Sequence, residues 1–443
     1  SRKTTKKSLI KKIIEMIARV NIWDLFVGAV VWDDDKGYAI FEFDTDFLKN
    51  DWDLSPLQMP LEEARTGKKI FSFPLLNKET YKGLPGLLAD SLPDNFGNKL
   101  IDAWIAGQGK DPGTVSPIER LCYTGKRGMG ALEFEPSTFL SDDSTGLLEI
   151  KELVLLVKAV LDEKKNLQTN IHKKTDKSLL DILRVGTSAG GARAKAIIAY
   201  NEKTGEVRSG QIDHLTDYGY WIIKFDGVLN EQLGEPKGYS KIEYAYYKMA
   251  IDCGINMTEC RMLRENKRTH FMTKRFDRVG NKKLHMQTLC AIAHFDYNDT
   301  TAYSYEQAFQ VMRQLKLPYS DLEQLFTRMV FNAIAKNQDD HTKNISFLMG
   351  DDGKWKLSPA YDVTYAHNPK SKWMKAHQLS INGKRENIEK KDILTAAKEM
   401  NIKKPSYIIE RVNEAVNKWK KHAQDAEVSK EQITAISKTH NFM

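Results

Sequence analysis

The stretch that decides the fold runs from residue 337 to residue 344 and reads Asn337-Gln338-Asp339-Asp340-His341-Thr342-Lys343-Asn344. Within it Asp339 stands five residues before Asn344, and Asp362 follows eighteen residues after that asparagine. This is the spacing of a phosphotransfer loop, in which the first aspartate accepts a hydroxyl proton and the other two side chains hold magnesium. We therefore predict Asp339 as the catalytic base, and Asn344 and Asp362 as metal ligands.

The neighbouring Asp340 is one residue too close to Asn344 for the role of base. In an extended loop its side chain would also point away from that of Asp339. Residues 345–357 alternate as a short β-hairpin, which would carry Asp362 back beside Asn344. A polar run of this kind can also be a solvated turn, so the interpretation depends on features elsewhere in the chain.

The overall composition predicts a globular protein. The chain has 443 residues, of which 41% are hydrophobic, enough for a sizeable core and two or three lobes. We expect a cytoplasmic protein without a membrane segment, because no apolar run approaches about 18 residues and the N-terminus lacks the apolar core of a signal peptide. The four cysteines lack zinc-ligand spacing, and the formal charge of +8 allows acidic partners without requiring one.

The first 146 residues contain two different patterns. Residues 1–20 carry six lysines and arginines within the first twelve positions, followed by apolar residues at helical spacing, which predicts a basic amphipathic helix. Such a helix could pack on its own protein, bind a partner or contact DNA phosphates. Residues 21–146 begin with a period-two pattern around a polar turn, which predicts a β-hairpin. The Ser- and Asp-rich stretch 137–146 is the predicted domain boundary.

A glycine-rich turn precedes the predicted strand at residues 196–200. Its candidate phosphate-binding residues are Gly186, Thr187, Ser188, Ala189, Gly190 and Gly191. Glycines let backbone N–H groups close over phosphate oxygens. The spacing matches neither a Walker A loop nor the G-x-G-x-x-G of protein kinases, so the loop alone is weak evidence.

Stronger evidence comes from a lysine within a buried-looking strand. Lys224 lies in Tyr220–Phe225, where a kinase holds the lysine that grips the α- and β-phosphates. Glu243, in the next predicted helix, is its possible partner. The alternative is an edge-strand lysine with its ammonium group in solvent. A further strand ends in Phe276 and Asp277, which could present a ring to adenine and a carboxylate to ribose.

From Leu284 onward the pattern is mostly helical, with helices predicted over residues 284–295, 304–315 and 322–336. The order of glycine-rich loop, strand lysine, helix glutamate, hinge, helices, D-x-x-x-x-N and metal aspartate is that of a bilobal kinase. At this point the residues resemble a specific family, the HipA-type serine/threonine kinases, which are toxins of bacterial toxin–antitoxin pairs. The shared motifs are, in chain order, Leu92-Pro93-Asp94, Gly128–Leu132, Ser188–Lys195, Lys274–Arg278, Gln287–Cys290, Asn337–Asn344, Tyr361-Asp362 and Leu379–Lys384.

The resemblance implies roles for residues already singled out. Asp339 resembles the catalytic aspartate, and Asn344 and Asp362 resemble the magnesium ligands. Lys224 resembles the phosphate-binding lysine, while Phe276 and Asp277 resemble the hinge contacts to adenine and ribose. The resemblance also makes Glu243, His341 and Lys343 supporting residues.

Ser188 matches the loop serine that family members autophosphorylate, and Thr187 could share the phosphate. A phosphate there would repel the phosphates of ATP and expel the loop. The chain departs from the family pattern at Arg193-Ala194-Lys195, where many members have Gln-Glu-Lys, and at Lys274, which replaces a common acidic residue.

Taken together, these features predict an α+β chain with a bilobal protein-kinase-like fold, an N-terminal β-rich subdomain and a mostly helical C-terminal lobe. The predicted segments are the helical extension 1–20, the N-terminal subdomain 21–146, the nucleotide-binding part 147–284 and the helical lobe 285–443. We expect ATP and Mg²⁺ as cofactors, a protein substrate and a DNA-binding antitoxin as partner. Nucleic acid would be contacted only indirectly or through the basic N-terminal helix. Two alternatives remain, a small-molecule phosphotransferase and a co-repressor module acting with the antitoxin.

Overall fold

The computed structural model describes residues 17–138, 150–157 apart from 152, 155 and 156, 193–210, 215–226, 238–265 and 268–443. These residues form two compact units. The first comprises the described part of Ser1–Tyr220 with Asp277–Gln287 and Gly350–Gly353, and the second comprises Trp221–Phe276, Thr288–Met349 and Lys354–Met443. Residues 1–16 of the predicted basic helix, the predicted boundary at residue 146 and the candidate loop 186–191 lie outside the described residues.

The first unit contains an antiparallel five-stranded sheet in the order β4-β3-β2-β1-β5. Its strands are β1 (Ile17–Ile22), β2 (Leu25–Asp33), β3 (Tyr38–Phe43), β4 (Ile70–Phe71) and β5 (Leu132–Glu135). The predicted hairpin is confirmed as β2 and β3, with Gly28 opposite Phe43 and Asp33 opposite Tyr38. Alternate residues of β3 are buried, as the period-two pattern predicts, whereas in β2 the buried residues are Val27, Gly28 and Val30.

The predicted N-terminal helix is wrong for its last residues, because positions 17–22 form strand β1. Ala18, Val20 and Ile22 are fully buried at two-residue spacing, whereas Arg19 points outward toward Glu135. The β-branched side chains fit a pleated surface, and β1 pairs with both β2 and β5. Tertiary pairing therefore overrides the helical spacing.

Short helices and a strand pair complete the described part of this unit before the chain enters the second unit. The helices are α1 (Leu61–Arg65), α2 (Lys78–Tyr81), α3 (Gly86–Ala89), α4 (Asn95–Gly107) and α5 (Pro117–Thr124), and the strands are β6 (Lys195–Tyr200) and β7 (Val207–Ser209). Helix α5 begins with a capping box between Ser116 and Glu119.

The second unit begins at Trp221, within strand β8 (Gly219–Lys224). A long helix and two more strands follow, namely α6 (Tyr239–Asp252), β9 (Cys260–Glu265) and β10 (Arg268–Lys274). Strand β10 pairs antiparallel with both β8 and β9, and places Lys224 opposite Phe271. These elements agree with the predicted lysine strand, glutamate helix and hinge strand.

The next residues depart from the prediction. After the pair β11 (Arg278–Val279) and β12 (Lys282–Lys283), a helix was expected over residues 284–295. Instead, β13 (His285–Thr288) is a strand, and helix α7 (Leu289–Ala293) begins only after it. Thr288 caps that helix by accepting a hydrogen bond from the Ala291 N–H, so the helix begins where a capping side chain is present.

The remainder of the second unit is mostly helical, as predicted. Its elements are α8 (Tyr305–Gln314), α9 (Tyr319–Ala335), β14 (Ser346–Met349), β15 (Trp355–Leu357), α10 (Lys390–Glu399), α11 (Pro405–Asn417), α12 (Trp419–Asp425) and α13 (Lys430–Ser437). Helix α9 runs through the core, with Phe326, Val330 and Ile334 fully buried. Strands β14 and β15 pair antiparallel as the predicted hairpin. Within the described ranges, no helix is long and apolar enough to span a bilayer.

Candidate active site

A buried ion triad connects strand β8, helix α6 and the segment after β15. The Lys224 Nζ atom lies 2.5 Å from Glu243 Oε1 and 2.6 Å from Asp362 Oδ1. The lysine and glutamate side chains are 8% and 2% exposed, so the alternative of a solvated lysine is excluded. A buried charge needs such partners, because its desolvation otherwise costs several kcal/mol. The predicted Lys224–Glu243 contact is therefore present, and Asp362 joins it.

The loop after helix α9 is held by main-chain and amide hydrogen bonds. The helix ends at Lys336, which has left-handed backbone angles. The Asn337 side chain then donates to Asn332 Oδ1 over 2.9 Å, and the Gln338 N–H donates to the Ala366 carbonyl over 2.9 Å. These bonds fix the exit of the chain from α9 and so the position of the two aspartates that follow.

Asp339 and Asp340 have different environments. The buried Asp340 carboxylate accepts hydrogen bonds from the Tyr305 hydroxyl at 3.0 Å and from the Gln378 N–H at 2.8 Å, and it contacts His377 Nδ1 at 2.8 Å. Asp339 is 44% exposed at the side chain. Asp340 thus holds the loop in place, while the Asp339 side chain lines a cavity, and its role as the base remains a prediction.

Asn344 and Asp362 lie at the same cavity as Asp339. The Asn344 Nδ2 atom donates to the Asp339 carbonyl over 2.7 Å, which fixes the amide plane and leaves the side-chain oxygen outside that bond. The Tyr361 hydroxyl donates to the Lys343 carbonyl over 2.6 Å and so ties the residue before Asp362 to the same loop. The hairpin therefore returns Asp362 to the neighbourhood of Asn344, as expected.

The donor set suits a magnesium ion that also binds phosphate. Mg²⁺ usually takes one or two carboxylates from the protein and completes its shell with water and phosphate oxygens. Asp362 and Asn344 carry side-chain oxygens of this type at one cavity, and their role as magnesium ligands remains a prediction. The described part of the chain holds no cluster of three or more His, Cys, Asp or Glu residues suited to a metal.

The electrostatics of the cavity act on Asp339. Desolvation raises the pKa of its carboxyl above the usual value, and the nearby carboxylates of Asp362 and Asp340 raise it further. His341 and Lys224 act in the opposite direction. A carboxylate with a raised pKa is a stronger proton acceptor once ionised, which is the property a general base requires.

Two supporting residues shape the loop around Asp339. His341 Nδ1 accepts a hydrogen bond from the Lys343 N–H over 3.2 Å, and its Nε2 lies 3.7 Å from Asp339 Oδ1. The Lys343 ammonium lies over the Tyr297 ring, 4.6 Å from its centre. His341 therefore stands beside Asp339, whereas the Lys343 ammonium packs on the Tyr297 ring.

The prediction for Asp277 needs correction. Its side chain is fully buried, and its Oδ2 atom accepts hydrogen bonds of 2.8 Å from both the Gly130 N–H and Arg278 Nη1. A carboxylate held in this way is a structural anchor of the first unit and is not exposed to a ribose. Phe276 remains half-buried, with its ring centre 5.5 Å from that of Tyr361.

Three residues of the site were not found from the sequence, namely Tyr305, His377 and Gln378. Gln378 is the most informative, because its Nε2 atom lies 3.4 Å from Asp339 Oδ1 and 3.0 Å from the Trp373 carbonyl. Position along the chain could have identified two of them, because His377 and Gln378 directly precede the motif Leu379–Lys384.

Comparisons with known proteins agree on one family. A profile of the HipA-like C-terminal domain matches residues 187–421, and a profile of the HipA N-terminal domain matches residues 18–135. No curated protein matches the chain.

Among solved structures, the Shewanella oneidensis MR-1 toxin–antitoxin system HipA, HipB and its operator DNA complex is similar over 95% of this chain and 94% of that chain. The TM-score is 0.66 at 15% identity, so this likeness concerns the fold. The Helicobacter pylori proinflammatory kinase CtkA aligns with 51% of this chain and 94% of its own chain at 13% identity. Its TM-score of 0.31 is too low to indicate a shared fold.

Proposed function

The chain belongs to the HipA family, and from that premise we propose that it is an ATP-dependent kinase that phosphorylates a serine or threonine hydroxyl of another protein. We further propose that it is the toxin of a toxin–antitoxin pair. The observation that carries the catalytic proposal is the convergence of Lys224, Glu243, Asp362, Asn344 and Asp339 within the second unit. These are the parts that a phosphotransfer enzyme needs, at the spacing such a loop requires.

In the proposed reaction, Asp339 orients the acceptor hydroxyl and takes its proton as the oxygen attacks the γ-phosphorus. The bond between the γ-phosphorus and the β,γ-bridging oxygen breaks, and ADP leaves with that bond's electron pair. Asn344 and Asp362 would hold Mg²⁺, which supplies neutralisation of the charge on the phosphate oxygens when bound. Lys224 would bind the α- and β-phosphates, with Glu243 holding its ammonium group in place.

Autophosphorylation at Ser188, with Thr187 as the alternative position, is part of the same proposal. The support is the family pattern of the loop and the physical effect of the modification. A phosphate carries close to two negative charges and would repel the phosphates of ATP. Modification of the loop would then switch off the enzyme.

A second proposed activity is assembly with a DNA-binding antitoxin. It is supported by the match in fold to a HipA protein whose structure contains HipB and operator DNA. The first twelve residues carry six basic side chains and no acid, which would favour contact with DNA phosphates. Specific reading of bases would fall to the antitoxin.

The test is the fate of γ-labelled phosphate from Mg-ATP in an extract supplied with wild-type protein, Asp339→Asn or Asn344→Ala. The proposal predicts label on protein bands with wild type and none above background with either variant. Label confined to small molecules would instead support a small-molecule phosphotransferase. Equal labelling of protein by wild type and Asp339→Asn would contradict the assignment of the base.

A further inference from the structure

The segment that follows Asp362 is strongly basic. From Val363 to Arg385 the chain carries five lysines and arginines and no aspartate or glutamate. Lys384 is paired with Asp392, at 2.8 Å, and Arg385 donates to backbone carbonyls. The remaining three cations are the exposed Lys370, Lys372 and Lys375. In the described ranges, none of these three ammonium groups lies within 4 Å of a carboxylate.

These three lysines stand on an ordered turn, residues 368–376, which we name the lysine loop. The Asn368 N–H donates to the Met374 carbonyl over 2.9 Å, which closes the turn. The Ser371 hydroxyl accepts from the N–H groups of Trp373 and Met374 at 3.2 and 3.3 Å. The cations are thus presented by a preorganised backbone, which lowers the entropy lost when a partner binds.

The lysine loop is connected directly to the proposed base. Gln378 donates to the Trp373 carbonyl of the loop and to the Asp339 carboxylate, at 3.0 and 3.4 Å. The residues on either side of a hydroxyl bound at Asp339 must therefore pass close to the loop. Trp373 adds an aromatic surface that is 37% exposed.

In the described part of the chain, Glu386, the acidic residue that follows this basic segment, forms no ion pair with any of the three lysines. Unpaired surface cations around a binding site favour partners of opposite charge and disfavour basic ones. The charge beside Asp339 therefore discriminates among acceptor chains.

We infer that the lysine loop selects protein substrates with aspartate or glutamate beside the phosphorylated serine or threonine, an inference that rests on the proposed kinase function. A single short turn with cations at residues 370, 372 and 375 matches a few carboxylates flanking one hydroxyl. Single-stranded RNA is the competing occupant, because it too would use cations and an exposed ring. The hydrogen bond from Gln378 to the Asp339 carboxylate favours a protein substrate over RNA. In the proposed function, that carboxylate receives the hydroxyl of the protein substrate.

The test compares two serine peptides that differ only in three flanking positions, glutamate in one and glutamine in the other. Three proteins are assayed with Mg-ATP. They are wild type, the loop variant Lys370→Gln/Lys372→Gln/Lys375→Gln and the control variant Lys420→Gln/Lys421→Gln/Lys430→Gln. The control removes the same charge from exposed lysines of helices α12 and α13. Binding of both labelled peptides is measured in parallel by fluorescence anisotropy.

Wild type and the control should use the glutamate peptide about tenfold better in kcat/KM, because each exposed ion pair contributes modestly. The loop variant should lose this preference while its rate on the glutamine peptide stays unchanged. In about 1 M salt, where charges are screened within about 3 Å, the preference of wild type should disappear.

Equal use of both peptides by wild type, or a preference that survives in the loop variant, would overturn the inference. So would single-stranded RNA binding that depends on the three lysines while peptide preference does not. If neither peptide is phosphorylated, the anisotropy still decides. Binding that prefers the glutamate peptide and depends on the three lysines would support the inference, while the missing phosphotransfer contradicts the proposed function. Equal binding of both peptides would overturn the inference as well.

Discussion

At the scale of single residues, two adjacent aspartates have opposite environments, and the proposed function gives catalysis to Asp339 and a structural role to Asp340. Asp340 is buried and surrounded by Tyr305, His377 and the Gln378 backbone, whereas Asp339 faces the cavity. Alternation of side chains along an extended chain separates them, because neighbouring side chains point to opposite sides. Two carboxylates next to each other in sequence should therefore respond to substitution in opposite ways.

Replacing Asp339 by asparagine should lower phosphotransfer by about a thousandfold, the range for loss of a general base. It should not destabilise the fold. The pKa of Asp339 is raised in the folded state, so the folded protein binds that proton more tightly and loses stability as the pH rises through this window. Because asparagine does not ionise, the variant does not lose stability in this way at neutral pH. Thermal unfolding and transfer assays on one preparation check both effects, and a lower melting temperature would contradict the account.

Replacing Asp340 by asparagine should cost about 2 kcal/mol of stability, because an amide donor then faces groups that donate to the present carboxylate. Urea unfolding measures the change. Asp425→Asn, on the exposed end of helix α12, is the matched control and should stay within about 0.5 kcal/mol of wild type. An Asp340 variant as stable as the control would show that the buried hydrogen bonds contribute little.

Much of the residue-level site follows from sequence spacing, and the rest depends on distant contacts. Asp339, Asn344 and Asp362 lie within 24 residues of one another, and the intervening hairpin is readable from its turn. Asp277 could not be placed in this way. Its partner Gly130 is 147 residues away, and nothing local distinguishes a buried carboxylate from a hinge carboxylate.

At the scale of elements, the Lys224–Glu243 ion pair joins strand β8 to helix α6. Both charges are buried, so the pair is stable only as a unit. The pairing was predictable because a strand lysine and a following helix glutamate occur in that order in kinases. The contact of Lys224 with Asp362 was not predicted, because it links residues 138 positions apart.

Lys224→Met should therefore destabilise the protein by about 3 kcal/mol, since it leaves the Glu243 carboxylate buried without its cation. The double variant Lys224→Met/Glu243→Gln should recover part of this loss, because the orphaned charge is then removed. Nucleotide binding should not recover in either variant. Urea unfolding and nucleotide titration of wild type, the two single variants and the double variant give the measurement. Additive changes in the free energy of unfolding would contradict the coupling between Lys224 and Glu243.

Element boundaries were less predictable than element types. The strand at residues 17–22 was read as the end of a helix, and β13 was absorbed into the helix that follows it. Both errors occur in strands of only four to six residues, whose structure is decided by pairing and capping partners. The long helices α8 and α9 were predicted because their periodicity extends over several turns.

At the scale of the whole molecule, each of the two units contains a buried neutral histidine. Burial lowers the pKa of His285 in the first unit and of His270 in the second to about 4. The predicted division at residues 146 and 284 remains a prediction, whereas the compact units divide between Tyr220 and Trp221. The described structure therefore gives each unit its own response to acid.

Stability should fall as the pH drops from about 6.5 to about 4, because the unfolded state gains histidine protons in this window while the folded state does not. Each of these histidines contributes about 1.4 kcal/mol per pH unit at most. Urea unfolding at a series of pH values measures the slope. His285→Asn should reduce it for the first unit, and an unchanged slope would show that His285 is charged in the folded protein.

The most direct test of the central claim, phosphotransfer centred on Asp339, is mass spectrometry of the intact protein and its peptides after incubation with Mg-ATP. Wild type, Asp339→Ala and Ser188→Ala are compared, after removal of any phosphate acquired during expression. One phosphate is expected on Ser188 in wild type and none in Asp339→Ala, while in Ser188→Ala the phosphate should be absent or move to Thr187. No phosphate on wild-type protein that still binds ATP, or a phosphate that persists in Asp339→Ala, would contradict the central claim.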